Sequence, residues 1–140
     1  MARSRVALDV EIPSDVKYIE GVVELATRKC RELRIPPRKC SFNVRIALSE
    51  ALSNAILRGN GAVSGKHVRV RAVVSQDKLV FDVVDEGAGF DLAAERVDPT
   101  SPENLMKEDG RGLFLMRRLM DSVERFQKDG NVVRLTLNRE

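Results

Sequence analysis

Two polar side chains on an otherwise apolar helical stretch are the first residues in this sequence that could do chemistry. Glu50 and Asn54 lie four residues apart within 47–60, a run of good helix formers that ends at a glycine. Four residues make about one helical turn, so both side chains are expected on one face. A carboxylate and a carboxamide there cost desolvation free energy unless something needs them. A solvated stripe on an ordinary amphipathic helix would show the same pair.

A second candidate follows a strongly apolar strand. The segment Asp85-Glu86-Gly87-Ala88-Gly89-Phe90 places a carboxylate at the end of that strand and two glycines directly after it. Glycines at alternate positions let the backbone approach a ligand closely. Asp85 could then accept a hydrogen bond from a ligand amino group in an otherwise apolar pocket. A tight turn, with Gly87 and Gly89 at positive φ, would show the same residues.

A third candidate, Gly110-Arg111-Gly112-Leu113, leads directly into a predicted helix. Backbone N–H groups at a helix N-terminus, with glycines that permit close approach, form an anion site, and Arg111 adds positive charge. This motif is frequent and weak by itself. The usual dinucleotide fingerprint is missing, because no parallel βαβ unit with Gly-x-Gly-x-x-Gly is present, and no Gly-rich loop contains a Walker lysine.

Composition limits the function classes. The 140 residues fit one domain spanning 1–140, and 24 basic against 21 acidic residues are too balanced to indicate nucleic-acid binding. Cys30, Cys40 and a single histidine do not favour a zinc site; they indicate reduced thiols in a cytosolic protein. The N-terminus alternates instead of forming an apolar signal sequence, and no run reaches membrane-spanning length. We therefore expect a cytoplasmic protein without a membrane partner.

The elements that must position these motifs follow from hydrophobic periodicity. In chain order they are strand 5–12, helix 16–33, helix 39–58, strands 67–75 and 78–85, an irregular segment 91–109, helix 112–121, and strands 123–127 and 132–137. The first strand should bury Val6, Leu8, Val10 and Ile12. Strand 78–85 is apolar on both faces, which predicts a central position. This order predicts a two-layer α+β sandwich, with one mixed, mainly antiparallel sheet and three helices on one face.

The three motifs together resemble a known family. Glu-x-x-x-Asn on a helix, Asp-x-Gly-x-Gly-Phe after a strand and Gly-x-Gly-Leu opening a later helix occur in this order. They resemble the asparagine box and the two glycine boxes of the Bergerat-type ATP-binding fold, which DNA gyrase, heat-shock chaperone ATPases, mismatch-repair ATPases and sensor histidine kinases share. The continuation over 112–121 most resembles the stand-alone anti-sigma factor serine kinases, and the resemblance covers almost the whole chain.

The resemblance implies a role for each matching residue. Asn54 would supply an oxygen ligand to Mg²⁺, Glu50 would be the general base, and Asp85 would bind the adenine amino group of ATP. The remaining implied ATP-binding residues are Gly87, Gly89, Phe90, Lys107, Gly110, Arg111, Gly112 and Leu113. Segment 91–109 would be the lid over ATP. The expected reaction is in-line transfer of the γ-phosphoryl group to a serine of an anti-anti-sigma partner, with alternate binding of a sigma factor and a possible homodimer.

Four cationic or titratable residues need separate comment. The family often has His-Gly where this chain has Arg58-Gly59, and a cation at a helix C-terminus interacts favourably with the helix dipole. Of Lys107 and Arg111, the two cations near the expected triphosphate, Arg111 is favoured as the functional one. His67 stands at the start of a strand, where an exposed histidine is expected instead of a phosphoacceptor. Met116 and Met120 are expected in the core.

Two other functions compete with an ATP-dependent serine protein kinase. A non-catalytic, ATP-sensing binding module would change its affinity for a partner without phosphoryl transfer. A slow, gyrase-like ATPase that drives a second domain is disfavoured, because the chain contains no second domain.

Overall fold

The computed structural model describes residues 4–61, 63, 65–87 and 108–140, with the backbone alone for 108–111. Its main elements are β1 (Arg5–Pro13), α1 (Ile19–Glu32), α2 (Arg45–Asn54), β2 (His67–Val74), β3 (Lys78–Asp85), α3 (Glu108–Leu119), β4 (Ser122–Gln127) and β5 (Asn131–Asn138). A 3₁₀ turn, Val16–Tyr18, precedes α1. Two π-helical segments, Lys39–Val44 and Ala55–Gly59, extend α2 at its two ends.

The five strands form one sheet in the order β1-β2-β3-β5-β4. β3 is central, as its apolar character on both faces predicts. The two-layer α+β architecture is confirmed, and the four strand pairings of the described chain are all antiparallel. The parallel component of the predicted mixed sheet is therefore absent from these pairings.

The core lies between one face of the sheet and the helices. Alternate residues of β3 point inward, so Leu79, Phe81 and Val83 are all buried. They belong to one apolar cluster that also contains Leu48 and Leu52 of α2. Burying each such side chain contributes about 1.5–3 kcal/mol. The predicted burial of Met116 and Met120 is confirmed, because both belong to this cluster. The other face of the sheet has no helix on it in the described elements and presents Asp82, Arg134 and other charged side chains.

The first strand departs from strict alternation at its N-terminal end. The pairing register of β1 with β2 shifts between Val6 and Leu8, which inserts one extra residue into β1. A slip of one residue moves a side chain to the opposite face of a sheet. The predicted burial of Val6 is therefore wrong: its side chain is 47% exposed, whereas Leu8 and Ile12 are buried.

The third helix begins earlier than its predicted start at Gly112. Helix α3 starts at Glu108, so Gly110 lies in its first turn and Gly112 is its fifth residue. The first-turn N–H groups of a helix lack intrahelical acceptors, and this keeps Gly110 at a helix N-terminus as predicted. Gly112 lies two residues further along the helix, on the side that meets α2.

Arg45 anchors the beginning of α2 to α1. Its two terminal nitrogens donate hydrogen bonds to Glu20 at 3.1 Å and to Glu24 at 2.9 Å. The hydrogen bond from Arg45 lowers the pKa of the exposed Glu24 carboxyl. No helix in the described part of the chain is long and apolar enough to cross a membrane.

Candidate functional site

Glu50 and Asn54 lie on the side of α2 that faces α3. Both side chains are half-buried, and both approach Gly112. A β-carbon at Gly112 would lie 3.0 Å from Glu50 Oε2 and 3.3 Å from Asn54 Nδ2. The predicted one-turn relation of the pair is therefore confirmed, and α3 brings the second glycine motif directly against it.

The pair is not bonded to any other residue that the structure describes. Within the residues the structure describes, Glu50 and Asn54 have no hydrogen-bond or ion-pair partner. Both side chains are half-buried and keep part of their hydration, since no atom of Glu50 or Asn54 is among the fully buried unpaired atoms of the described chain. The solvated-stripe interpretation does not account for Gly112 packed beside the pair. A ligand at the edge of the contact between α2 and α3 would use both polar groups.

Asp85 ends the central strand and is almost fully buried, with 3% of its surface exposed. Its Oδ1 accepts hydrogen bonds from the Gly87 backbone N–H and from Asn131 Nδ2, both at 2.8 Å. Asn131 is the residue directly opposite Asp85 in the pairing of β3 with β5. Among the described residues none donates a hydrogen bond to the other carboxylate oxygen, Oδ2. Asp85 is thus a buried acceptor with one oxygen still available.

Glycines enclose this carboxylate on several sides. A β-carbon at Gly59 would lie 2.1 Å from Asp85 Oδ2, and one at Gly87 would lie 1.6 Å from the Gly59 carbonyl oxygen. The end of α2 and the turn after β3 can pack this closely only without side chains. Gly59 closes the π-helical segment, in which the Asn60 N–H bonds to the Ala55 carbonyl at 2.8 Å. π-Helical turns are frequent at functional sites, and this one brings Gly59 against Asp85.

Asn60 also holds the turn after β3 in place. It is 1% exposed, and its Oδ1 accepts a 2.7 Å hydrogen bond from the Glu86 N–H. Its Nδ2 donates to Ser14 Oγ at 3.1 Å and to the His67 carbonyl at 3.0 Å. The buried Asn60 side chain thus bonds groups at or next to the ends of three strands, β1, β2 and β3.

Several predicted site residues are not tested by the structure. Gly89, Phe90 and Lys107 lie outside the described residues, as does segment 91–107 of the predicted lid. For Arg111 only the backbone is described, within α3. Leu113 is buried in the core cluster. The ATP-binding roles of all predicted site residues stay predictions.

Gly59, Asn60 and Asn131 belong to the site but are missing from the sequence-based prediction. In the sequence, Gly59 looks like an ordinary glycine that ends a helix, and Asn60 looks like an ordinary loop residue. Asn131 looks like a residue of the turn before β5. A signal exists only for Gly59, which directly follows the helix containing Glu50 and Asn54. The position of Asn131 depends on the pairing of β5 with β3, a contact between strands far apart in sequence.

A depression of about 430 Å³ on the open face of the sheet also touches Asp85, but it is a different surface. Much of its lining is ion-paired. Arg69 bonds Asp9 at 2.7 Å, and Arg134 bonds Asp82 at 2.8 Å. Glu50 and Asn54 do not line it. At its rim His67 is exposed, as predicted, with Nδ1 3.8 Å from Glu86 Oε2. Paired charges of both signs give this surface no preference for a ligand class.

The polar residues at the candidate site are better suited to a metal ion that is shared with the phosphates of a nucleotide than to a metal ion held by side chains alone. In the described part of the chain, no group of three or more histidine, cysteine or acidic residues could hold a metal ion. Mg²⁺ is commonly held by one or two protein oxygens together with phosphate oxygens of a bound nucleotide. Asn54 offers one such oxygen, and the first turn of α3 offers N–H groups to an anion.

Comparison with known proteins agrees with this geometry. A profile of the histidine kinase-like ATPase domain matches residues 12–137. A serine-protein kinase RsbW of Bacillus licheniformis is 38% identical over 147 aligned positions, covering 100% of this chain and 91% of the relative. A serine-protein kinase RsbW of Bacillus pumilus is 30% identical, covering 95% and 87%. An anti-sigma F factor of Clostridium beijerinckii is 28% identical, covering 70% and 69%. This chain belongs to the family of histidine kinase-like ATPase domains.

Proposed function

We propose that this protein is an ATP- and Mg²⁺-dependent serine/threonine protein kinase that also acts as an anti-sigma regulatory factor. The observation that supports it most is the half-buried pair Glu50 and Asn54, without partners among the described residues and facing Gly112 of α3. Relatives that cover most of the chain are named serine-protein kinases, and one is named an anti-sigma factor. Both parts of the proposal draw on these names.

In this proposal the two ends of the pocket have separate tasks. Asp85, buried at the end of β3, accepts a hydrogen bond from the adenine amino group. Gly110 and Gly112 border the phosphates, and Asn54 contributes an oxygen to Mg²⁺. Bound ATP would supply the transferable phosphoryl group, and its Mg²⁺ would neutralise the negative charge that develops during transfer.

Glu50 is the residue that makes this pocket catalytic. Its carboxylate lies one turn before Asn54 on α2, beside the proposed phosphate end. There it accepts the proton of the incoming serine hydroxyl, which general base catalysis by a positioned carboxylate requires. Gly112 leaves its Oε2 open to the approaching hydroxyl, because a side chain at 112 would press on that oxygen.

The proposed partners are proteins. The acceptor serine belongs to an anti-anti-sigma protein, and the alternate partner is a sigma factor. A kinase with these partners works in the cytoplasm as a single domain over 1–140, with a homodimer as its expected assembly. Neither nucleic acid nor a membrane is needed.

The test is phosphoserine formation. The protein is incubated with Mg-ATP and a candidate anti-anti-sigma protein, and phosphoserine is followed by mass spectrometry. Glu50→Gln removes the base while it preserves shape, so the rate should fall by about 100-fold or more. ATP affinity, measured by calorimetry, should stay unchanged. Glu32→Gln, an exposed substitution at the end of α1, is the matched control and should be neutral in both measurements.

The outcomes separate the competing functions. A Glu50→Gln variant that phosphorylates as fast as wild type would remove Glu50 from the base role. ATP-dependent complex formation without phosphoserine would replace the kinase by a non-catalytic ATP-sensing switch. No binding of ATP or ADP at millimolar Mg²⁺ would overturn both.

A further inference from the structure

Asn131, the first residue of β5, places a buried carboxamide beside the Asp85 carboxylate. It is 3% exposed, and both ends of its side chain are engaged. Nδ2 donates to Asp85 Oδ1 at 2.8 Å, and Oδ1 accepts from Gln127 Nε2 at 3.2 Å. The three side chains therefore form a chain of hydrogen bonds, Gln127 to Asn131 to Asp85, that runs from the exposed end of β4 to the buried end of β3.

Asp85 fixes the direction of this chain, because a carboxylate only accepts hydrogen bonds. A carboxamide has one donor end and one acceptor end, so Asn131 must turn its donor nitrogen toward Asp85, and its oxygen accepts the hydrogen bond from Gln127. The Gly87 N–H donates to the same carboxylate oxygen, so Oδ1 receives two hydrogen bonds. Hydrogen bonds to an ionised carboxylate are stronger than neutral ones and set its orientation.

The consequence appears at the second carboxylate oxygen. Oδ2 is directed toward Gly59, into space that a side chain at 59 would fill, and receives no hydrogen bond from the described residues. If Asn131 were absent, the carboxylate could rotate and exchange its two oxygens. A single donor from the backbone would then hold it less well.

We infer that Asn131 is a positioning residue for nucleobase selection: it holds Oδ1 of Asp85 so that Oδ2 accepts a hydrogen bond from the 6-amino group of a purine. This inference rests on the proposed ATP-binding function and adds to it the residue that makes Asp85 selective. Asn131 does not itself need to touch the nucleotide. Its effect must therefore depend on the presence of the amino group in the ligand.

The test measures the affinities of the wild-type protein and of Asn131→Ala for two nucleotides. The nucleotides are ATP and purine riboside triphosphate, which has hydrogen in place of the 6-amino group, and affinities are measured by calorimetry with Mg²⁺. Wild type should prefer ATP. Asn131→Ala should weaken ATP binding by about 10-fold, the effect expected for loss of one hydrogen bond to a charged group. Binding of the amino-free analogue should change less than about twofold, since it does not use Oδ2.

Asn43→Ala is the matched control, because the Asn43 Nδ2 also donates a short hydrogen bond, to the Leu119 carbonyl at 2.7 Å, but in the helical layer. It should leave the preference for ATP over the analogue unchanged. Gln127→Ala acts from an exposed position and releases the oxygen of Asn131. Gln127→Ala should also reduce the preference for ATP over the analogue, but by less than Asn131→Ala. It supplies the test if thermal unfolding shows that Asn131→Ala is not folded.

Equal losses for the two nucleotides in Asn131→Ala and no change in Gln127→Ala would reduce Asn131 to a structural residue and overturn the inference. A wild type that binds both nucleotides equally well would overturn it too, while ATP binding itself would stand. A wild type that binds neither nucleotide would instead overturn the proposed function.

Discussion

At the scale of single residues, the candidate site depends as much on missing side chains as on present ones. Gly112 of α3 lies against the Glu50 carboxylate and the Asn54 carboxamide, and Gly59 and Gly87 lie against Asp85 and each other. Each glycine allows two backbone segments, or a segment and a polar group, to approach more closely than a β-carbon permits. The polar groups supply the chemistry, and the glycines set where those groups can be.

A substitution at Gly112 should separate activity from stability. In Gly112→Ala the new β-carbon would lie 3.0 Å from Glu50 Oε2, the mobile end of a side chain, so Glu50 must shift. Misplacement of a catalytic group by about 1 Å can reduce a rate by about 100-fold, and the shift required here is smaller, so a loss of about 3- to 10-fold in phosphoserine formation is expected. The free energy of unfolding should change by less than about 1 kcal/mol, because alanine favours the helix.

Gly21→Ala is the control for this prediction. Gly21 is exposed in α1, and a β-carbon there would meet nothing within 4 Å. Phosphorylation should be unchanged and stability raised by about 0.5–1 kcal/mol. If Gly112→Ala phosphorylates at the wild-type rate, the proposed contact between α3 and the catalytic base is wrong.

At the scale of elements, the end of α1 shows how the chain turns toward α2. Arg34 has φ of 61°, in the left-handed region that favours glycine. The Ile35 N–H bonds to the Cys30 carbonyl at 3.5 Å and the Arg34 N–H to the Arg31 carbonyl at 3.0 Å. This is the Schellman arrangement, with arginine at the position that glycine usually occupies. The helix ends at this point, and Pro36 and Pro37 then lead into the π-helical start of α2.

Glycine at position 34 should therefore stabilise the protein. The exposed Arg34 side chain has no hydrogen bond in the described part of the chain, so little is lost with it. Arg34→Gly removes the strain of a left-handed arginine, and the greater freedom of glycine in the unfolded chain offsets part of this gain. We expect an increase of about 0.5–1 kcal/mol in the free energy of unfolding, measured by urea denaturation.

Arg28→Gly provides the opposite control on the same helix. Arg28 is exposed in the interior of α1, where glycine should reduce stability by about 1 kcal/mol. A loss of stability in both variants would show that Arg34 is not strained.

At the scale of the whole molecule, the two cysteines report on global packing. Cys30 of α1 and Cys40 at the start of the α2 region are both fully buried, and Cys40 Sγ donates to the Ile35 carbonyl at 3.6 Å. Burial raises the pKa of both thiols above the ordinary value, most strongly that of Cys30. The thiolate is the reactive form, so the folded protein should protect both cysteines from alkylation until the core opens.

The raised pKa of Cys30 also predicts a loss of stability at alkaline pH. The folded state keeps the thiol protonated, while the unfolded state releases the proton above about pH 8.5. The stabilising contribution is thus complete below that pH and is lost as pH rises above it, by up to about 1.4 kcal/mol per pH unit. Urea denaturation of wild type and Cys30→Ala between pH 7 and 10 measures the difference.

Because lysine and tyrosine side chains also titrate in this range, the comparison between the two proteins is the relevant quantity. Cys30→Ala should lose less stability than wild type on going from pH 8 to pH 10. Equal alkaline losses in the two proteins would mean that the thiol ionises as easily in the folded state as in the unfolded state.

The sequence by itself determined the elements and the three motifs. Hydrophobic periodicity is a local property, and it placed strand 78–85 and the helix bearing Glu50 and Asn54 within a few residues of their observed bounds. The one-turn relation of Glu50 to Asn54 follows from helix geometry alone. The tight turn before β5 is also local: Asp129 and Gly130 adopt positive φ, which these residue types tolerate.

Only the tertiary structure decided what surrounds each motif. The bulge that exposes Val6 depends on register with β2, and the approach of Gly112 to Glu50 depends on how α3 packs on α2. The same holds for Asn131, which is separated from Asp85 by 46 positions in sequence and meets it because β5 pairs with β3. Such contacts are fixed by strand pairing and helix packing between distant segments, and local residue patterns contain no record of them.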